Sequence, residues 1–232
     1  MRRRWFFLFW FCVALIGCHR LLGPFTYYSE PIHGRVIDEE TGQPLPGVVV
    51  LADWTMVGYG GDVVLHTSET TTDRTGAYTI PAMPRKIRPP FKWLEYRDPD
   101  LWFYKPGYYC LWRMNKEAYV TPISPVGVDV VTTTLSDGRI ITDGSYSSAS
   151  KRFCYWNGKV IPLPRPHSDE ELMRAYDTAD LAATGSAKVT PAQAPIWWHA
   201  MAEAYKQLPK NSRTIGWGDP QQTIDYWLEK NK

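Results

Sequence analysis

Between Pro31 and Ile80 the chain is cut into short apolar runs by turn-forming residues, and this punctuation limits the possible folds more than any other feature. Ile32-His33-Gly34-Arg35-Val36-Ile37-Asp38 alternates apolar and polar residues, as a half-buried strand does. Glu39 to Pro46 holds Thr41-Gly42 and two prolines, a turn and short loop. Gly47 to Trp54 is a continuous apolar run, short enough for a buried strand. Val63 to Thr67 and Glu69 to Thr72 are rich in β-branched residues, Asp73-Arg74-Thr75-Gly76 turns the chain, and Ala77 to Ile80 reads as the return strand. Leu101–Tyr104, Tyr108–Arg113, Val128–Leu135, Gly138–Thr142 and Arg152–Trp156 are further strand candidates. Composition points the same way: 19 prolines in 232 residues exceed the roughly 5% usual in globular chains, and 14% of residues are aromatic. A turn-rich β protein is expected in preference to coiled coils or long helical repeats.

Three segments of this region carry a resemblance. Gly34-Arg35-Val36-Ile37-Asp38, then Glu40-Thr41-Gly42-Gln43-Pro44-Leu45-Pro46-Gly47-Val48-Val49-Val50, then Thr71-Thr72-Asp73-Arg74-Thr75-Gly76-Ala77-Tyr78 together resemble the carboxypeptidase regulatory-like domain. Asp100 to Tyr108 resembles the strand and turn that often close it. The resemblance implies a prealbumin-like β-sandwich of about seven strands, covers residues 31–110 and fades toward 163. It departs at Pro81–Pro99, an insertion-like stretch with five prolines, and the strand count beyond Ile80 is left open.

The period changes after the proline-rich boundary Val160 to Pro166, which is expected to be extended. Ser168-Asp169-Glu170-Glu171 forms a capping box that opens a helix carrying Leu172, Tyr176 and Leu181. A second helix is expected from about Gln193 to Leu208. Asp219-Pro220 starts a third, with Ile224, Trp227 and Leu228. Helices of this length are marginal alone in water, so Leu172, Tyr176, Trp227 and Leu228 are expected to bury against an exposed face or edge of the β region.

At the N-terminus, Arg2-Arg3-Arg4 precede an uncharged apolar run from Trp5 to Ile16. Twelve residues are too few to span a hydrocarbon core, which takes about 20, so the run reads as a signal peptide. It ends in Leu15-Ile16-Gly17-Cys18, which resembles the lipobox of bacterial lipoproteins. The resemblance implies cleavage after the small Gly17 and diacylglyceryl transfer to the Cys18 thiol. With His19 following, it implies the periplasmic face of the outer membrane if the host has two membranes. Removing residues 1–17 takes three of the 26 basic residues and no acid, leaving 23 against 24. The formal charge of +2 thus belongs to the targeting segment, and nothing in the charge pattern fits nucleic acid.

Cys110 and Cys154 remain once signal and anchor are set aside, and in an exported setting such a pair reads as one disulfide. The alternative is two buried thiols. The five histidines are scattered, and none pairs at zincin spacing. His167-Ser168-Asp169-Glu170 has the H-x-x-E spacing of zinc carboxypeptidases, but Glu170 falls in the acidic first turn of the capped helix, where the helix dipole favours it. There is no phosphate loop and no nucleophile elbow. No metal, cofactor or catalytic residue is assigned. Aromatics are the one excess, and Trp93, Trp197 and Trp198 are the candidate ligand-binding residues. Adjacent indoles cannot share one helix face, so one of Trp197 and Trp198 is expected at an edge or against the β region.

The sequence therefore divides into a signal peptide (1–17), a lipidated tether (18–30), a mainly β, prealbumin-like sandwich (31–163) and an α-helical C-terminal appendage (164–232). The expected role is a non-enzymatic, lipid-anchored envelope protein whose sandwich binds or supports, with the membrane, envelope proteins or glycans as partners. One alternative is carbohydrate or peptidoglycan binding through exposed tryptophans. Another is an envelope hydrolase.

Overall fold

The apolar run at Gly47–Trp54 becomes the middle strand of a sheet covered on both faces, which is why it carries no alternation. The computed structural model describes residues 25–94, 99–113, 115, 132–134, 140–142, 150–186, 189–209 and 219–230. Its strands are β1 (Thr26–Ser29), β2 (Ile32–Asp38), β3 (Val49–Gly58), β4 (Val63–Thr71), β5 (Ala77–Ile80), β6 (Lys86–Ile87), β7 (Lys92–Leu94), β8 (Asp100–Tyr104), β9 (Leu111–Arg113), β10 (Thr132–Thr134), β11 (Ile140–Thr142), β12 (Lys151–Arg152) and β13 (Val160–Leu163). Three helices follow: α1 (Asp169–Leu181), extended by a π-helical turn over Ala182–Ser186, α2 (Pro195–Gln207) and α3 (Pro220–Lys230). The chain is mainly β among the described residues, with its helices at the C-terminal end.

The largest sheet runs β4-β3-β8-β9, and β7 continues beyond β8 along the same edge of β3. A second sheet, β13-β2-β5, packs across one face of it. Val50, Ala52, Trp54 and Met56 of β3 and Leu101 and Phe103 of β8 meet Ile32, Val36, Tyr78, Ile80, Ile161 and Leu163 there. The intervening residues point the other way. Val49, Leu51, Trp102 and Tyr104 meet Ala179, Trp197, Trp198 and Met201 of the helical layer. The two faces of one strand pair thus serve two separate cores, as a period of two requires. Two smaller sheets, β12-β1-β6 and β10-β11, complete the described strands.

Local chemistry sets the turns. Gly76 has φ +74°, and a Cβ there would run into the Val36 carbonyl, so only glycine fits between β4 and β5. Asp73 closes that turn, its Oδ1 accepting the Thr75 and Ala77 amides at 2.8 and 3.0 Å. Ser168 caps α1 as expected, its hydroxyl accepting the Glu171 amide at 3.2 Å, while Glu171 reaches back to the His167 amide.

Several expectations change. Thr26–Ser29, assigned to the tether, forms β1 between β6 and β12. Val160–Leu163, expected as an extended boundary, is β13 and pairs parallel with β2 in the register Ile161↔Val36. The insertion-like stretch contributes β6 and β7. Arg152–Trp156 is strand only at its first residue; Tyr155 to Gly158 form a turn. The tail does bury against the sheet, but Leu228 is exposed and Ile224 is buried in its place, one helical turn earlier. Leu172 and Tyr176 pack as expected, and the side chain of Trp227 lies outside the described residues.

Candidate functional site

The carboxylate of Asp38, buried at the end of β2, is heavily bonded. Its Oδ1 accepts the amides of Glu40 and Thr41 at 3.1 and 3.0 Å and thereby folds the loop that follows β2. Its Oδ2 accepts the Tyr108 hydroxyl at 2.8 Å and the Arg165 Nε at 2.7 Å, with Arg165 Nη2 at 2.5 Å. Burial alone would raise this carboxyl, but the bonds from Tyr108, Thr41 and Arg165 outweigh it and hold the group well below the usual carboxylate range. Burial, then the bond to Asp38, pushes Tyr108 up to about 12. The Arg165 guanidinium lies 4.9 Å from the Tyr108 ring centre. A carboxylate so saturated with donors is a poor base. It is a clamp that ties the end of β2, the turn after β8 and the exit of β13 to one point.

The aromatic surface is different in kind. Trp102 on β8 and Trp112 on β9 are register partners, and their rings stack 5.0 Å apart at an interplanar angle of 3°. Trp102 is buried, and its Nε1 donates to Asp53 Oδ1 at 2.9 Å; Thr55 donates to the other carboxylate oxygen at the same distance. Trp112 lies on the outer strand of the sheet and remains 40% exposed. The result is a flat indole held against a fixed second indole, with Asp53 and Asp100 paired two residues further along β3 and β8. Such a platform stacks against a planar or pyranose face.

The structure disposes of the other candidates residue by residue. Trp197 is fully buried and Trp198 is 5% exposed, which corrects their reading as ligand-binding aromatics. Trp197 packs on Tyr104 of the sheet at 5.6 Å between ring centres and donates Nε1 to the Ala179 carbonyl. Trp198 donates to the Val189 carbonyl at 3.1 Å. Adjacent indoles are both covered because sheet and helical segments approach α2 from different sides. Cys18 and the side chain of Trp93 lie outside the described residues. The expected disulfide between Cys110 and Cys154 is corrected as well. No bond joins them: Cys110 is buried in the helix–sheet core, and Cys154 packs against the core between the two sheets. Burial pushes the Cys110 thiol far up.

His167 Nε2 lies 3.2 Å from Glu40 Oε1, while Glu170 pairs with Arg174, so the H-x-x-E residues face separate partners. Among the described residues no group of three His, Cys, Asp or Glu is placed to hold a metal ion. One buried acid remains. Asp180, in the last turn of α1, is 3% exposed, its Oδ2 has no hydrogen-bond partner among the described residues, and burial with the nearby Asp177 pushes its carboxyl up to about 6.

Two features of this layout escape sequence reading. Trp112 gains its role only by pairing with β8, and Glu69 on β4 turns out to cap a helix 127 residues away. Neither has a local signature.

No protein-family model and no curated protein matches the chain. Among solved structures it is similar to a 9R-lipoxygenase from Cyanothece PCC8801, with 15% identity and TM-score 0.24 over 62% of this chain and 18% of that one. It is similar to a 3-chlorocatechol 1,2-dioxygenase from Rhodococcus opacus 1CP at 16% identity and TM-score 0.24, over 61% of this chain and 60% of that one. At that level of superposition neither likeness informs fold or chemistry.

Proposed function

We propose that this chain is a lipid-anchored protein of the bacterial envelope that works by binding or support, not catalysis. The observation that carries the reading is the N-terminal pattern: three arginines, an uncharged run of twelve residues, and Leu15-Ile16-Gly17-Cys18, with β1 beginning at Thr26 soon after. Acyl chains on Cys18, at about 0.8 kcal/mol per buried methylene, hold such a domain at the membrane. The four-strand run β4-β3-β8-β9 facing β13-β2-β5 supports a prealbumin-like sandwich as the body of the protein. Mass spectrometry of the N-terminal peptide from membrane-extracted protein tests the anchor. A diacylglyceryl adduct on Cys18 is expected, and a Cys18→Ser protein should leave the detergent phase. Full detergent partitioning of that variant would overturn the reading.

A second reading, glycan binding, is favoured by the exposed Trp112 ring stacked parallel on Trp102. Co-sedimentation with purified peptidoglycan tests it. Wild-type protein should pellet with the sacculi, and Trp112→Ala should stay in solution while its far-UV circular dichroism matches that of the wild type. Equal pelleting of both proteins would remove this reading.

A further inference from the structure

We infer that the end of the molecule from which the N-terminus leaves is a bilayer-contacting face, on which Phe25, Ile87, Phe91 and Tyr59 enter the headgroup layer beside Arg85 and Lys86. The inference rests on the proposed Cys18 anchor for what brings the chain to the membrane; the face itself is built from positions in the fold.

These residues come from three separate stretches that the fold brings together. Phe25 precedes β1, which pairs with β6 in the register Thr26↔Ile87, and the Arg88 amide donates to the Phe25 carbonyl at 2.8 Å. Arg88 Nη1 donates to the Lys92 carbonyl at 3.0 Å, tying β6 to the segment that starts β7. β7 pairs with the far end of β3 in the register Gly58↔Lys92, which places Tyr59 beside Phe91. The side chain of Lys92 is buried and donates to the carbonyls of Gly58 and Gly61, so the loop that carries Tyr59 is pinned from below.

The side chains on this scaffold are turned the wrong way for a soluble surface. Tyr59 is 89% exposed, Ile87 80%, Phe91 71% and Phe25 57%. Val63, at the start of β4 on the same end, is exposed too. Phe91 is also, among the described residues, the one non-glycine residue with positive φ, at 58°. A bulky side chain held in the left-handed region is strained, and here the strain holds an exposed phenyl that no core contact rewards. Single exposed apolar residues are ordinary, but several on one pinned end, one of them strained, mark an interaction surface.

Two further facts select a membrane as occupant. Phe25 lies seven residues after Cys18, so a fully extended tether keeps this end within about 25 Å of the acyl chains. Arg85 and Lys86 adjoin it, against the acid Asp62 in the neighbouring loop, which suits anionic headgroups, while Arg88 turns its guanidinium inward to the Lys92 carbonyl. Arg85 also donates to the Thr26 hydroxyl at 2.9 Å and lies 4.4 Å from the Tyr28 ring centre, which fixes its guanidinium at β1.

The full chain, extracted from membranes and reconstituted into phosphatidylethanolamine–phosphatidylglycerol vesicles with a photoactivatable lipid, tests the face. Lipid adducts should concentrate in peptides carrying Phe25, Tyr59 and residues 85–91, and should fall about fivefold in Tyr59→Ser/Ile87→Ser/Phe91→Ser. Phe91→Gly provides a second check, since it removes the phenyl and the strain together. It should lose adducts while its melting temperature holds or rises. Adducts centred on Trp112 or Tyr226, an even spread, or cross-links between copies in place of lipid adducts would overturn the face, whichever variants fold. The mass of the N-terminal peptide is read in the same sample. An adduct pattern as expected on a chain without acyl groups would sink the anchor and leave the face standing. Acylated protein without the pattern does the reverse, and absence of both removes both.

Discussion

Glu69 and Trp197 are joined across 128 residues of sequence: the Glu69 carboxylate, on β4, accepts the Trp197 amide at 2.9 Å and the Ile196 amide at 2.7 Å. Helix α2 has no cap of its own, since Ala194 stands at its N-cap and Pro195 follows. Its orphan amides are satisfied by a strand of the large sheet instead. Helix docking and helix capping are thus one event, which seats Trp197 on Tyr104 and closes the helix–sheet core.

Replacing Glu69 by Ala should therefore cost about 1–2 kcal/mol, the usual loss on removing an N-cap. Glu69→Gln should recover about half of it, because one oxygen still accepts. Urea unfolding of the three proteins measures this. Indistinguishable midpoints would mean the bond contributes nothing.

Ending the chain after Leu163 should be far more damaging. It uncovers Val49, Leu51, Trp102 and Tyr104, each worth about 1.5–3 kcal/mol when buried. A lower melting temperature and strong binding of an apolar dye are expected. An unchanged melting curve would show the helices to be an independent arm.

The acid limb of stability should depend on Asp38. Its folded carboxyl is held below the usual range, so its contribution is complete above about pH 4 and is lost as pH falls further. Tyr108→Phe removes one of the bonds responsible and should cost about 1–2 kcal/mol at neutral pH. Its melting temperature should also fall less steeply between neutral pH and pH 3 than that of the wild type. Parallel curves would contradict this.

Asp180 should act with the opposite sign. Its carboxyl is raised to about 6, so the stability of the protonated form is present below the ordinary value near 4 and is lost as pH rises through 6. Asp180→Asn should remove that loss and gain about 1–3 kcal/mol at pH 7.5, with little change at pH 4. A variant destabilised equally at both pH values would show that the carboxylate has a partner the unfolded chain lacks.

Cys110 should resist alkylation at pH 8 until the protein unfolds, since burial keeps its thiol protonated. A reducing agent should leave the melting temperature unchanged, because no bond joins Cys110 to Cys154. A drop of several degrees on reduction would restore the disulfide.

How far the sequence reached depended on whether a signal was local. The strand Ile32–Asp38, the return strand Ala77–Ile80, the Asp73–Gly76 turn and the Ser168 cap were all legible, because alternation, positive φ and a capping hydroxyl act within a few residues. Asp38 bonds locally to Glu40 and Thr41, within the turn expected over Glu39–Pro46. Its partners Tyr108 and Arg165 could not be read, because they arrive from 70 and 127 residues away. Tertiary structure alone decided that Val160–Leu163 is a strand, since a parallel neighbour supplies its bonds and its own Pro162 argues against it. It alone decided which tryptophans are covered. Burial is a property of what arrives from elsewhere in the chain: the sheet and Val189 cover Trp197 and Trp198, while Trp112, on the outer strand, has among the described residues a ring partner on one face only.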